Sequence, residues 1–194
     1  MNVNVLLFSD FETLDAFGPV EVLGRVAELQ LRFISAGGGI VTSSQGVPVI
    51  TESWDRADFS GIMLVPGGQG TRTLVNDRVF IEKLRDIVLQ SDYCLTVCTG
   101  SALLAKTELL DGRQATSNKR AFAWVRSVNP AVQWISQARW VADGRFYTSS
   151  GVSAGIDMAL GFVADLFGKD RAADLAHRIE YVWNENAADD PFAR

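Results

Sequence analysis

Apolar residues in this chain fall into short continuous runs separated by stretches whose apolar positions recur every three or four residues. Val3–Phe8 is such a run, partly alternating, and it ends in polar Ser9–Glu12, which predicts a buried strand. Leu14–Val26 then has helical spacing, with Val20, Leu23 and Ala27 on one face and Pro19 suited to a first turn. Gln30–Ala36 predicts a second strand closed by three glycines, and Val41–Ser43 with Val47–Thr51 predicts a hairpin across Gln45-Gly46. Ile62–Val65 is uninterruptedly apolar and runs straight into Pro66-Gly67-Gly68-Gln69-Gly70, so a central strand delivers the chain to a glycine-rich loop.

The same alternation continues to the end of the chain. Val79–Leu89 repeats at helical period through Phe80, Leu84, Ile87 and Val88, and Tyr93–Val97 predicts another buried strand. A sharp junction, Cys98-Thr99-Gly100-Ser101, opens a small-residue helix at Ala102–Lys106. Helices are predicted over Ala121–Val128, Ser153–Phe167 and Arg171–Asn186, and a hairpin over Arg139–Ser149 around Asp143-Gly144. Continuous apolar strands alternating with helices define an α/β fold, a three-layer sandwich whose mostly parallel central sheet is covered by helices on both faces. No linker or repeat interrupts residues 1–194, so a single domain is expected. Ligands of such sheets sit beyond the carboxyl ends of the strands, which puts Asp15, the Gly67–Gly70 loop and the Cys98 turn on one rim.

Composition narrows the chemistry. There are 18 basic residues against 23 acidic ones, a net charge of −5, which lacks the cationic excess that a nucleic-acid backbone requires. The N-terminus has no basic region, no cleavage site and no apolar run of membrane-spanning length, so neither secretion nor membrane insertion is expected. Two cysteines, Cys94 and Cys98, fit a reducing, cytoplasmic location. His177 is the one histidine, so no four-ligand Cys/His zinc site can be assembled within the chain, and a histidine base would have to be this residue. It falls in the last predicted helix, where a solvated role is expected.

Cys98 is the candidate nucleophile. A thiol between a buried strand and a helix N-terminus occupies a nucleophile elbow, where backbone N–H groups and the helix dipole favour negative charge; this predicts a thiol pKa below the ordinary value of about 8.5. Cys94, inside its strand, is expected to be a small hydrophobe. Asp15 has two balanced roles, helix capping or participation beside the thiol, where burial and a neighbouring negative charge would raise its pKa. Glu12 is expected to be exposed in its loop, and Asp189-Asp190 to belong to a solvated tail.

Val97–Ala105, Asp15-Ala16-Phe17-Gly18-Pro19, Val65-Pro66-Gly67-Gly68, Ser149–Leu160 and the ending Asp190-Pro191-Phe192 together resemble the ThiJ/PfpI superfamily of class I glutamine amidotransferase-like domains, over nearly the whole chain. The resemblance implies a flavodoxin-like fold with a nucleophile elbow. Within the superfamily the likeness is to isonitrile hydratases and to the ligand-binding half of AraC-type regulators; those regulators continue into a helix-turn-helix domain and this chain stops, so an enzyme is expected rather than a regulator. The implied activity is that of a lyase converting an isonitrile and water to an N-substituted formamide. Its implied site has Cys98 as nucleophile, a protonated Asp15 that donates to the Cys98 thiolate and then to substrate, and Thr99 beside them. Gly68 and Thr99 N–H groups would form an oxyanion hole, with Gly67, Ser150 and Gly151 at the substrate. Asn118 stands where many members carry a histidine, which weakens a Cys–His peptidase mechanism and leaves acid-plus-thiol chemistry intact. No metal or cofactor is implied; the partners implied are a small-molecule substrate and a second copy of the chain, paired over apolar surface near the rim. The alternatives are a ligand- or redox-sensing domain in which Cys98 is oxidised, or glyoxalase/deglycase-like activity.

Overall fold

The computed structural model describes residues 1–193. Its strands are β1 Asn2–Leu6, β2 Gln30–Ser35, β3 Gly39–Thr42, β4 Pro48–Ser53, β5 Ile62–Val65, β6 Tyr93–Val97, β7 Gln114–Ala115, β8 Gln133–Trp134, β9 Trp140–Asp143 and β10 Phe146–Ser149. Its helices are α1 Thr13–Leu23, α2 Thr71–Leu74, α3 Arg78–Gln90, α4 Gly100–Lys106, α5 Phe122–Val128, α6 Ala154–Phe167 and α7 Lys169–Arg178. Eight strands form one sheet in the order β3-β4-β2-β1-β5-β6-β10-β9, parallel from β4 to β10 and antiparallel at both edges. The run β2-β1-β5-β6-β10 is the flavodoxin-like order, so the expected architecture holds.

The central strands are apolar throughout because both faces are covered: every residue of β5 is buried, as is all of β6 after Tyr93. One layer is α1, α6 and α7; the other is α2 to α5. α3 shows the physical basis of the packing. Phe80, Ile81, Leu84, Ile87 and Val88 form its buried stripe, each contributing about 1.5–3 kcal/mol when fully removed from water. Asp77 caps its first turn by accepting from Phe80 N–H at 3.1 Å.

Two expectations are corrected, and one element is new. Pro19 lies inside α1, not in its first turn; the helix begins earlier, at Thr13, and carries Asp15 within it. The small pair β7/β8 was not foreseen, and two-residue strands leave no periodic signal to read. The last helix ends at Arg178, eight residues before the expected Asn186, where Glu180 adopts φ 52° and Tyr181 N–H reaches back to Ala176 O at 2.9 Å.

That early stop lets the C-terminal segment fold back as a strap. Trp183 Nε1 donates to Asp157 O at 3.2 Å, and Asn184 N–H donates to Asp157 Oδ1 at 3.0 Å. Asp190 is 2% exposed, so it is not part of a solvated tail, whereas Asp189 is exposed. Arg139, itself buried, pairs with Asp157 at 2.8 Å and with Asp190 at 3.5 Å, and Lys119 stands 3.9 Å from Asp190. Burial pulls the Lys119 ammonium down to about 8, against the raising charge of Asp190. A buried cation loses its hydration and depends on the acids that face it. Asp157→Ala should therefore destabilise the fold by roughly 3 kcal/mol, because it removes the nearer of the two carboxylates that face buried Arg139 and leaves only the longer pair with Asp190. Urea unfolding measures this; a change below about 1 kcal/mol would show that the strap does not depend on the pair.

Candidate active site

Four loops meet at the carboxyl ends of β1, β5, β6 and β10. Cys98 follows β6 with φ 58°, the left-handed region where a non-glycine residue is strained, so the turn projects the thiol as an elbow does. The strain is held in place by hydrogen bonds on both sides of the peptide. Cys98 N–H donates to Ser149 O at 3.2 Å and Ser150 O at 3.1 Å, while Cys98 O accepts from Ser101 Oγ at 2.9 Å and Ser117 Oγ at 2.8 Å. All four serines are buried. Ser117 was invisible to motif analysis because it acts through the backbone of another residue.

Asp15 faces the elbow from the first turn of α1. It is fully buried and makes no cap; its Oδ2 accepts Gly67 N–H at 3.0 Å. A Cβ on Gly67 would stand 2.6 Å from Thr99 N and 2.7 Å from Asp15 Oδ2, so only a glycine lets the three loops close on one another. Asp15 Oδ1 is buried without a hydrogen-bond partner, and the Glu12 and Cys98 side chains both act on this carboxyl.

Burial raises the Asp15 carboxyl to about 7; Glu12 adds to the rise, while the Gly67 N–H and the Cys98 thiol oppose it. Burial likewise pushes the Cys98 thiol up to about 12, with the Asp15 charge adding to it. The expectation of a lowered thiol pKa is thus corrected. The N–H groups of Thr99 and Val152 do favour the thiolate, but a thiol 7% exposed beside a carboxylate loses more from desolvation and repulsion. The pair holds its protons tightly, and the carboxyl gives one up first. Cys94, fully buried in β6, is pushed up to about 12 by burial and is inert.

The remaining expected residues can now be placed. Thr99 Oγ1 accepts Gly68 N–H at 3.1 Å and the Thr71 hydroxyl at 3.1 Å, so both the hydroxyl and the Gly68 N–H are engaged in joining the β5 loop to the elbow. The donors directed at sulfur are instead Thr99 N–H and Val152 N–H. Val152 was missed by sequence reasoning; its φ of 44°, strained for a β-branched residue, was not legible in Ser150-Gly151-Val152. Ser150 is buried behind the elbow, and Gly151 provides room for Asn118, whose Nδ2 would lie 2.3 Å from a Cβ there. A cleft of about 510 Å³ opens over the thiol, bounded by Glu12, Gln45, Gly68, Arg72, Asn118, Arg120 and Val152. Glu12 is half-buried in its wall, not exposed as expected, because Gln45 Nε2 donates to it at 3.1 Å. His177 is exposed on α7 and is not among the cleft residues.

A parallel sheet that ends in a cysteine elbow, with a buried acid beside the thiol, defines a cysteine-elbow α/β protein. The DJ-1/PfpI family model matches residues 1–165, and the chain belongs to that family. It is 32% identical over 185 residues to an isonitrile hydratase from Pseudomonas putida, covering 94% of this chain and 79% of that protein. It is 27% identical to the HTH-type transcriptional regulator GbdR of Pseudomonas aeruginosa, covering 97% of this chain and 53% of the regulator, so it spans about half of that protein. A ThiJ/PfpI family protein from Pseudomonas syringae superposes with a TM-score of 0.86 at 25% identity, covering 98% of this chain and 77% of that one. Drosophila melanogaster DJ-1beta shares the fold, with a TM-score of 0.78 at 22% identity over 94% of this chain and 98% of its own. Among the described residues no helix is long and apolar enough to cross a membrane.

The buried carboxyl has a thermodynamic signature. Its folded-state pKa of about 7 lies above the ordinary 3.8, so the folded protein binds the proton more tightly and loses stability as pH rises from about 4 through about 7. Asp15→Asn removes that loss. Its stability gain over the parent should grow from near zero at pH 4 to roughly 2–4 kcal/mol at pH 8, measured by urea unfolding. A difference independent of pH would contradict the assignment.

Proposed function

We propose that the protein is an isonitrile hydratase-like lyase that adds water to R–N≡C to give the N-substituted formamide. What supports this is a buried acid beside the elbow thiol, the carboxyl raised to about 7 by burial. The likeness to an isonitrile hydratase supplies the reaction class.

Asp15, as carboxylate, takes the thiol proton while Cys98 Sγ attacks the terminal carbon; the C–S bond forms and the proton passes from Asp15 to that carbon, giving the thioimidate R–N=CH–S–Cys98. Asp15, a carboxylate again, draws a proton from water as its oxygen adds to the same carbon, and the nitrogen receives that proton. Collapse of the tetrahedral adduct breaks the C–S bond, releases R–NH–CHO and returns the thiol. Thr99 and Val152 N–H groups stabilise sulfur as it gains and regains negative charge. The steps consume one water and need no histidine, consistent with Asn118 in the cleft and His177 away from it. A second copy of the chain is proposed as its partner, and Ile40 and Ile50, paired across β3/β4 and 71% and 79% exposed, are apolar surface it could cover.

A ligand-sensing role is the second reading, favoured by the match to half of a transcriptional regulator. Incubation with cyclohexyl or p-nitrophenyl isonitrile, followed as formamide formation, separates the two. The enzyme reading expects turnover that Cys98→Ala and Asp15→Asn each reduce by at least 10³-fold; binding without turnover is the outcome expected of a sensor. Because Asp15 must be a carboxylate when the Cys98 thiol gives up its proton and attacks, kcat/KM should rise with pH to a plateau with a midpoint near 7. A profile that falls above pH 7 would mean that the active pair is a carboxylic acid beside a standing thiolate, and would overturn this order of proton transfers.

A further inference from the structure

Resting on the hydratase reading, the geometry points to an anion subsite at the cleft mouth, formed by Arg72 and Arg120, that selects isonitriles whose substituent carries a carboxylate. The reacting group N≡C is linear and two atoms long, and it needs little more than the space between Cys98, Thr99 and Val152. The cleft is far larger, about 510 Å³, and its outer wall is polar rather than apolar. Two guanidinium groups line that wall, both on exposed residues, and among the described residues neither forms an ion pair. Unpaired arginines beside the nucleophile of a chain with net charge −5 are a local reversal of sign.

Arg72 is positioned from the catalytic turn itself. Thr71, its neighbour, hydrogen-bonds Gly68 O at 2.7 Å and Thr99 Oγ1 at 3.1 Å, so the start of α2 is fixed relative to Cys98. Its guanidinium lies 3.5 Å from the centroid of the Trp124 ring. Stacking uses the flat face of the guanidinium and leaves its edge N–H donors free, the arrangement that receives a carboxylate in two parallel hydrogen bonds. Arg120 lines the same cleft two residues after Asn118, whose Oδ1 accepts Ala121 N–H at 3.0 Å and thereby holds that turn. Glu12, a carboxylate that also lines the cleft, accepts from Gln45 Nε2 at 3.1 Å and forms no ion pair with either arginine among the described residues. A substrate carboxylate would meet two free cations, whereas an ammonium or an alkyl substituent would leave them unpaired.

The test uses paired reagents that differ in charge alone. Iodoacetate and iodoacetamide each alkylate the thiolate with loss of iodide, and mass spectrometry of the Cys98 peptide gives both rates. The ratio of iodoacetate to iodoacetamide should fall about tenfold in R72Q/R120Q and be largely restored in R72K/R120K, which returns the charges. A ratio unchanged by R72Q/R120Q, or a Cys98 that neither reagent reaches, overturns the subsite. In parallel, kcat/KM for isocyanoacetate should exceed that for its neutral methyl ester by about tenfold, and R72Q/R120Q should erase the difference. The two arms separate the claims: a charge-dependent alkylation ratio with no isonitrile turnover keeps the subsite and removes the hydratase reading. Equal turnover of acid and ester with an unchanged alkylation ratio does the reverse.

Discussion

Removing the Asp15 carboxyl from water is the constraint around which this structure is arranged. Among the described residues its hydration is replaced by one backbone N–H, from Gly67 on Oδ2, while Oδ1 has no hydrogen-bond partner and the Cys98 thiol stands beside the carboxyl. A fully solvated carboxylate would be ionised three pH units below neutrality and would exchange protons with no selectivity for a neighbouring thiol. Here the cost of desolvation brings the carboxyl to about 7 and makes it a proton carrier at ordinary pH. The same low-polarity surroundings hold the proton on Cys98, so the thiol is protected at rest and becomes nucleophilic only as Asp15 takes its proton.

Keeping that arrangement requires the elbow to stay strained. Cys98 and Val152 both hold positive φ, and the turns are secured by Ser101 of the following helix and Ser117 on the Cys98 carbonyl, the β10 loop on its N–H, and Asn118 against Gly151. Behind the β10 loop lies the ion network of Arg139, Asp157 and Asp190, with Ser150 N–H donating to Arg139 O at 2.8 Å. The C-terminal strap therefore supports, through Arg139, the loop that supplies the Val152 N–H. Strain at the thiol is balanced by a buried network some distance along the chain.

Much of this is legible in the amino-acid sequence. The apolar runs at Ile62–Val65 and Tyr93–Val97 coincide with β5 and β6, and the Cys98 turn and Gly67-Gly68 loop fall where a parallel sheet places its ligands. Asp15 could not be resolved from its sequence context, because a cap and a buried acid use the same residue type; the missing cap bond and the Gly67 contact separate them. The direction of the Cys98 shift is not legible in sequence, where the helix N-terminus is visible but the burial and the facing carboxylate that outweigh it are tertiary. The burial of Asp190 is hidden for a similar reason: its partner, Arg139, is 51 residues away in the chain. Val152 and Ser117 act through backbone groups, and no side-chain pattern marks such roles.

The central claim is that Asp15 carries a proton near neutrality because it is buried against Cys98. Carbon-13 NMR of protein labelled at the aspartate carboxyls reads this directly across pH 3 to 9, with Asp15→Asn assigning the resonance. The account predicts one carboxyl with a midpoint near 7 that disappears in the variant. If the resonance lost in Asp15→Asn titrates near 4 with the exposed aspartates, the carboxyl is solvated and the proton-transfer scheme built on it is wrong.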